Sequence, residues 1–252
     1  MPTFCDRPTK EDMDYIMKKI MLFVVLLLIA VSAFAFSPFF IIDEITIQGN
    51  NNIQLNELGY ALQQNSDNIW LFSINQARHN ILQLPYAQNV YITKNFINRS
   101  LHIYLIERQT IGYIEFNQDT FLFIDKEGIV LEIAPSPSRP LPTILGLNFD
   151  GFLLGNALNV ENQQIFYKIS YITNWLIAYD MERTISSIDV SDLFNIKLLY
   201  GNIVINIGDF NDINSKIRVA KSLLPQITSF KQIGGSLNIV DINRQWFFEL
   251  LT

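Results

Sequence analysis

Cysteine and histidine are almost missing from this 252-residue chain. A single cysteine, Cys5, excludes an intrachain disulfide framework and any multi-cysteine zinc site. Two histidines, His79 and His102, with no H-E-x-x-H or comparable spacing, make no metal site and leave little material for a histidine triad. Charge is scarce too. Asp, Glu, Lys and Arg make up 17% of the residues, against roughly 25% in an average soluble protein. That deficit points to a membrane-associated stretch. Eighteen basic against 24 acidic residues give a net charge of -6, the wrong sign for meeting nucleic-acid phosphates. No G-x-S-x-G nucleophile pattern occurs, and no G-K-[ST] follows Gly234-Gly235 to make a phosphate loop. The sequence therefore predicts no enzyme, no cofactor, no metal and no small-molecule substrate.

What the chain does have is a long apolar run. Residues 20–36 carry no charge, and these 17 residues span about 25 Å as a helix. Extending the run to residue 42 gives 23 uncharged residues, enough for a hydrocarbon core of roughly 30 Å. Lys18 and Lys19 precede the run, and Asp43 and Glu44 follow it. The lysine bias predicts a cytoplasmic N-terminus and export of everything after residue 43. Residues 1–19 read as a short disordered cytoplasmic tail and 20–40 as a transmembrane helix. A cleaved signal peptide is the rival, since Ala33-Phe34-Ala35 fits an A-x-A cleavage pattern. The polar stretch before the run is long for a signal peptide, and residues 36–42 stay apolar past the cut, so a retained anchor is the favoured reading.

The exported part begins with an alternating stretch over 41–48 that predicts a strand, and Gly49-Asn50-Asn51-Asn52 predicts a turn. Leu55, Leu58 and Leu62 share one helical face; Ile74, Ala77, Ile81 and Leu84 share another, stopped by Pro85. Strands follow at 90–94 and 101–105. The order β-α-α-β-β makes one small α+β unit over 41–108. Beyond it come short strands at 113–116, 121–124 and 129–131, then an extended segment broken by Pro135, Pro137, Pro140 and Pro142. An amphipathic helix runs through Ile165, Ile169, Ile172 and Leu176. Strands at 185–190, 196–200 and 203–207 follow, the last two joined at Gly201-Asn202 with the turn type open. A final helix from Ile213 to Leu224 is expected to end near Pro225, before strands at 237–240 and 246–250. The predicted class is α+β: a transmembrane helix, the β-α-α-β-β unit, and a mixed β-rich domain with two helices over 109–252.

This layout resembles the FtsQ/DivIB family of bacterial cell-division proteins, over essentially the whole chain. Phe40-Ile-Ile-Asp-Glu-Ile-Thr-Ile-Gln-Gly-Asn50 resembles the family's opening strand. Trp70-Leu-Phe-Ser-Ile-Asn75 with Leu84-Pro85 resembles the two-helix segment of its POTRA domain. Leu105-Ile-Glu-Arg108, Phe121-Leu-Phe-Ile-Asp125 and Gly128 resemble the junction with its β domain. Leu141-Pro-Thr-Ile-Leu-Gly146 and Ser236-Leu-Asn-Ile-Val240 resemble later β-domain segments. Thr110 stands where the family usually has proline, and Leu237-Asn238-Ile239-Val240 where it often has Ile-Asp-Leu-Arg. The resemblance implies a POTRA domain over 41–108, an FtsQ/DivIB-type β domain over 109–252, and a non-catalytic single-pass type II scaffold in the inner (plasma) membrane at the division septum. It implies partners among small single-pass coiled-coil division proteins, FtsB/DivIC-like and FtsL-like, docked at the C-terminal β-domain edge. The alternative is a POTRA-containing component of protein export or outer-membrane assembly. That alternative normally carries a long barrel, and only about 140 residues follow here.

Candidate partner-binding residues are Ser236, Leu237, Asn238, Ile239 and Val240, expected as an exposed edge, supported by Trp246, Phe247 and Phe248. In a strand Trp246 and Phe248 share one face and Phe247 takes the other, so the segment is either sandwiched in core or part of an edge able to accept a partner strand. Trp70 reads as a core or loop-anchoring aromatic rather than a partner anchor, and Glu107-Arg108 as a solvated strand end rather than a contact surface.

Overall fold

The computed structural model of the chain describes residues 10–35, 37–63, 65–241 and 247–250. Helix α1, Lys10–Ala35, contains the apolar run. Its stretch Met13–Phe34 is long and apolar enough to cross a membrane, and none of it is buried within the chain. The helix does not reach residue 40. Pro38 has no backbone N–H and opens a 3-10 turn, Pro38–Phe40, which Ser37 caps by accepting the Phe39 N–H. The helical part thus starts earlier and stops earlier than the 20–40 segment read from hydropathy.

The chain falls into two compact units. The first comprises residues up to Asn50 with Gln54–Ile81 and Val90–Leu105; the second comprises Asn51–Ile53, Leu82–Asn89 and Ile106 onward. The β-α-α-β-β order appears as β1 (Glu44–Gln48), α2 (Leu55–Leu62), α3 (Ile74–Ile81), β2 (Ala87–Asn95) and β3 (Ser100–Glu107). Strand β3 is central, between β1 and β2, and β1 runs parallel to it with Glu44 opposite Ser100. Phe72, Ala77 and Leu101 form a buried cluster with Ile42, Leu62, Ile74 and Ile92 packed on it. Gly49 is obligatory at the end of β1. Its φ is +84°, and a Cβ there would sit 2.1 Å from the Leu105 carbonyl oxygen.

The second unit is a nine-stranded sheet under two helices. Its strands are β4 (Thr110–Asn117), β5 (Thr120–Asp125), β6 (Val130–Ala134), β7 (Thr143–Leu145), β8 (Ser187–Asp189), β9 (Ile196–Tyr200), β10 (Ile203–Gly208), β11 (Gly235–Asn238) and β12 (Phe247–Glu249). Their spatial order is β12-β11-β10-β9-β8-β7-β4-β5-β6. Alternate residues of β9 and β10 are buried: Ile196, Leu198, Tyr200, Ile203, Ile205 and Ile207. They share one core with Ile169, Ile172 and Leu176 of α4 (Gln164–Ala178) and Ile217, Ala220 and Leu224 of α5 (Ile213–Ile227). Between β9 and β10 only Gly201 takes positive φ (59°), as a type II′ hairpin requires at its first central position. Helix α5 passes through Pro225 rather than ending there. The proline lies in the last turn, so the i→i−4 bond that its missing N–H gives up is near the end of the helix, and the Thr228 hydroxyl donates to the Leu224 carbonyl.

Two polar clusters fix the loops of this unit. The Glu107 carboxylate accepts the backbone N–H groups of Asn51 (2.9 Å), Asn52 (2.8 Å) and Ile53 (2.9 Å). Arg108 donates to Asp125 (2.6 Å) and Glu127 (2.7 Å). Both residues are structural, where the sequence reading has a solvated strand end. In the second cluster the Tyr86 hydroxyl donates to Glu132 (2.8 Å), which also accepts from Arg139 (3.1 Å). Burial, and then the bond to Glu132, raise the Tyr86 phenol above its ordinary 10.0.

Two outcomes follow. Glu107→Ala strips the acceptor from three backbone donors and should lower unfolding stability by about 1–3 kcal/mol in a urea titration; an unchanged midpoint would show that water replaces it at no cost. A raised phenol pKa means that folding favours the protonated form. The Tyr86 contribution is then complete below pH 10.0 and lost as pH rises through the folded value. Tyr86→Phe should flatten the alkaline fall in melting temperature; a fall of the same steepness would assign it to other groups.

Candidate partner-binding edge

Strand β11 is reached from β10 through α5, and it pairs parallel to β10 with Ile203 opposite Gly235 and Asn206 opposite Asn238. Strand β12 returns antiparallel on the other side of β11, with Ser236 opposite Glu249, Leu237 opposite Phe248 and Asn238 opposite Phe247. The backbone directions follow from one bond. The Ile239 N–H donates to the Asn206 carbonyl at 2.8 Å, so Ile239 faces β10. Backbone groups alternate along a strand, so Leu237 and Gly235 face β10, and Ser236 and Asn238 face β12. In the antiparallel pair the residues opposite them, Glu249 and Phe247, face β11. Phe248 lies between these two and points its N–H and C=O away from the sheet.

The expected edge at Ser236–Val240 is therefore displaced by one strand. The backbone groups of β11 are directed to β10 on one side and β12 on the other, and Leu237 and Ile239 are buried. Ser236 is also held by its side chain, which accepts from Asn206 Nδ2 at 3.0 Å. Val240 lies past the end of β11, where its N–H donates to the Asn238 side chain. The terminal strand of the sheet is β12.

The two faces of β12 differ. The Phe248 ring lies 5.2 Å from that of Phe230 and packs on the main core. It can do so because residue 235 is glycine: a Cβ there would meet the ring at 2.3 Å. Phe247, on the opposite face, is 54% exposed. The segment is thus anchored by one face and not sandwiched between two. Trp246 lies outside the described residues.

No other part of the described chain gathers a chemical site. Among the described residues no group of three or more His, Cys, Asp or Glu side chains is placed to hold a metal ion. His79 sits in the last turn of α3. His102 lines a shallow groove with Thr46, Gln48, Tyr91 and Tyr104. An ion pair in the second unit, outside the loop clusters, is also structural. Buried Lys216 donates to the Asp209 carboxylate (2.9 Å) and carbonyl (3.0 Å), and this bond holds the Asp209 carboxyl below its ordinary value.

The comparisons with known proteins agree with this architecture. A model of the FtsQ-type POTRA domain matches residues 40–108. The chain is similar to the cell division protein DivIB of Clostridium botulinum (strain Hall), at 29% identity over 217 residues, 85% of this chain and 84% of that protein. It is 29% identical to DivIB of Clostridium acetobutylicum over 189 residues, 74% of each chain. It is 26% identical to DivIB of Clostridium tetani over 191 residues, 75% of this chain and 71% of that one. The β-α-α-β-β unit is thus matched by the FtsQ-type POTRA domain, and over most of its length the chain is similar to proteins named cell division protein DivIB.

Proposed function

We propose that this protein is a membrane-anchored, non-catalytic scaffold of the division machinery that takes up a partner segment by strand addition along the outer side of β12. The observation that carries this reading is the direction of the Phe248 backbone at the end of a nine-stranded sheet. A strand pairing there would gain main-chain hydrogen bonds, with the exposed Phe247 offering an apolar contact on one face. Ser236–Val240 act behind this edge by positioning β12, and Phe248 holds it to the core. The partners are small single-pass coiled-coil division proteins of the FtsB/DivIC and FtsL kind. Helix α1 anchors the chain in the plasma membrane, with Lys18 and Lys19 on the cytoplasmic side and the domains after Asp43 outside.

The edge is tested by two substitutions at one position. Phe248→Ala keeps the outward N–H and removes the ring; Phe248→Pro removes both. Capture of the purified coiled-coil division partners by the full chain is measured with each variant, its fold checked by circular dichroism. The proline variant should bind at least about tenfold more weakly than the alanine variant. Equal capture by the two would place the contact elsewhere. Localisation tests the wider reading: a fluorescent fusion should form mid-cell bands, and a uniform envelope signal would favour the export alternative.

A further inference from the structure

The end of the first unit next to α1 carries a cluster of exposed aromatic and aliphatic side chains that the β12 reading does not use. Three segments converge there. They are the linker after α1, the stretch around Trp70, and the turn between β2 and β3. Phe34, in the last turn of α1, meets Phe40 edge-on with ring centroids 5.0 Å apart. Phe40 meets Phe39 at 5.3 Å and Trp70 at 6.1 Å, and Trp70 lies 4.7 Å from Phe96. Phe39 is 65% exposed, Trp70 58% and Ile97 93%. Trp70 thus anchors a loop, as one of its sequence readings has it, while leaving most of its ring uncovered.

The linker is stitched to this surface. The Ile42 N–H donates to the Asp67 carbonyl (2.8 Å), the Ile69 N–H to the Phe40 carbonyl (2.9 Å) and the Asp43 N–H to the Arg99 carbonyl (2.9 Å). Arg99 donates to the Phe39 carbonyl (2.9 Å), pairs with Asp43, and lays its guanidinium 5.4 Å over the Phe39 ring. The parallel pairing of β1 with β3 puts the start of both strands, and so the linker and the 96–99 turn, at the same end of the sheet. Chain length makes the location independent of how the helix is angled. Phe39 follows the last residue of α1, Ala35, by four positions, so it lies within about 14 Å of the helix end.

We propose that Phe39, Trp70, Phe96 and Ile97 form a seat that rests the first unit in the headgroup region of the bilayer entered by α1. The inference relies on the anchoring role proposed for α1. Trp and other amphipathic or aromatic rings are favoured at that depth, and the short chain distance from α1 puts this exposed apolar patch within reach of the lipid headgroups. The seat is apolar and not an anionic-lipid site, because Arg99 is already paired with Asp43 and Lys94, beside Phe96, donates its ammonium to the Ile69 carbonyl at 2.7 Å. Seating would hold the β-α-α-β-β unit at a fixed height above the membrane.

The test uses the full chain in nanodiscs of phosphatidylcholine, with Cys5→Ser and one spin-labelled cysteine at a time. Ile97→Cys labels the seat at a side chain that packs on nothing. Leu55→Cys labels the opposite end of the first unit, beyond the roughly 17 Å length of β1. Leu27→Cys labels the middle of α1. Collision with a water-soluble nickel complex should be at least about threefold lower at position 97 than at 55, and lower still at 27. Replacing half of the lipid with phosphatidylglycerol should leave that ratio unchanged. If position 97 is as accessible as 55 while 27 is protected, the seat is wrong and the anchor stands. If 27 is accessible too, the anchoring role fails and the seat with it. A ratio that appears only with anionic lipid would overturn the apolar seat in favour of charge-driven adsorption.

Discussion

Everything in the second unit depends on the apolar contact between one face of its sheet and the two helices above it. The chain carries no cysteine after Cys5, so no cross-link supports the strands. Several of them are three residues long: β7, β8 and β12. Strands that short have too few ladder bonds to hold a register unaided. They are fixed by side chains such as Ile144, Ile188 and Phe248, which enter the core shared with α4 and α5. The helices supply the cover, and the ladder records where the covered residues fall.

The same contact explains why β11 is interior. A strand, a helix lying on the sheet and a second strand bring the two strands side by side and parallel. The sequence β10, α5, β11 is such a unit. Once β11 lies parallel to β10, the chain can reverse only outward, and the last strand becomes the border. The strand, helix and strand over 203–240 were all legible as separate elements, so the interior place of β11 was within reach of sequence reasoning. What hides it is that strands at 237–240 and 246–250 lie close in sequence, which does not say which of them the preceding helix delivers to the sheet.

Periodicity made the rest of the fold readable wherever an element had one buried face. Ile81, Ile169 and Ile217 each mark a helix stripe that is buried as expected, whereas in α2 only Leu58 of the expected stripe is buried and Leu55 is exposed. The strands β7 and β8 were harder, because three residues carry hardly more than one period of alternation. Proline was misleading in two ways. Pro225 is accommodated inside the final turn of α5 although it gives up a helix hydrogen bond, whereas Pro38 opens a 3-10 turn where hydropathy alone implies continued helix. Glu107 illustrates a different gap. Its role is set by three backbone donors more than fifty positions away, and no local pattern encodes that.

The two borders of the large sheet are treated differently, and the difference bears on function. At β6 the backbone is already occupied: Val130 donates to the Asn156 carbonyl and accepts from the Gly155 N–H, and Ile129 bridges to Ala157. A folded-over segment therefore closes part of that border, as proteins do where strand pairing would be a hazard. At β12 the strand is instead kept short and pinned by Phe248, with its outward backbone directed away from β11. Brevity limits unwanted pairing, since each added hydrogen bond contributes only about 0.5–1.5 kcal/mol. Under the strand-addition proposal a partner would have to bring side-chain contacts of its own, with the exposed Phe247 to receive them. Selectivity for a particular strand would then come from side chains, the backbone supplying only the alignment.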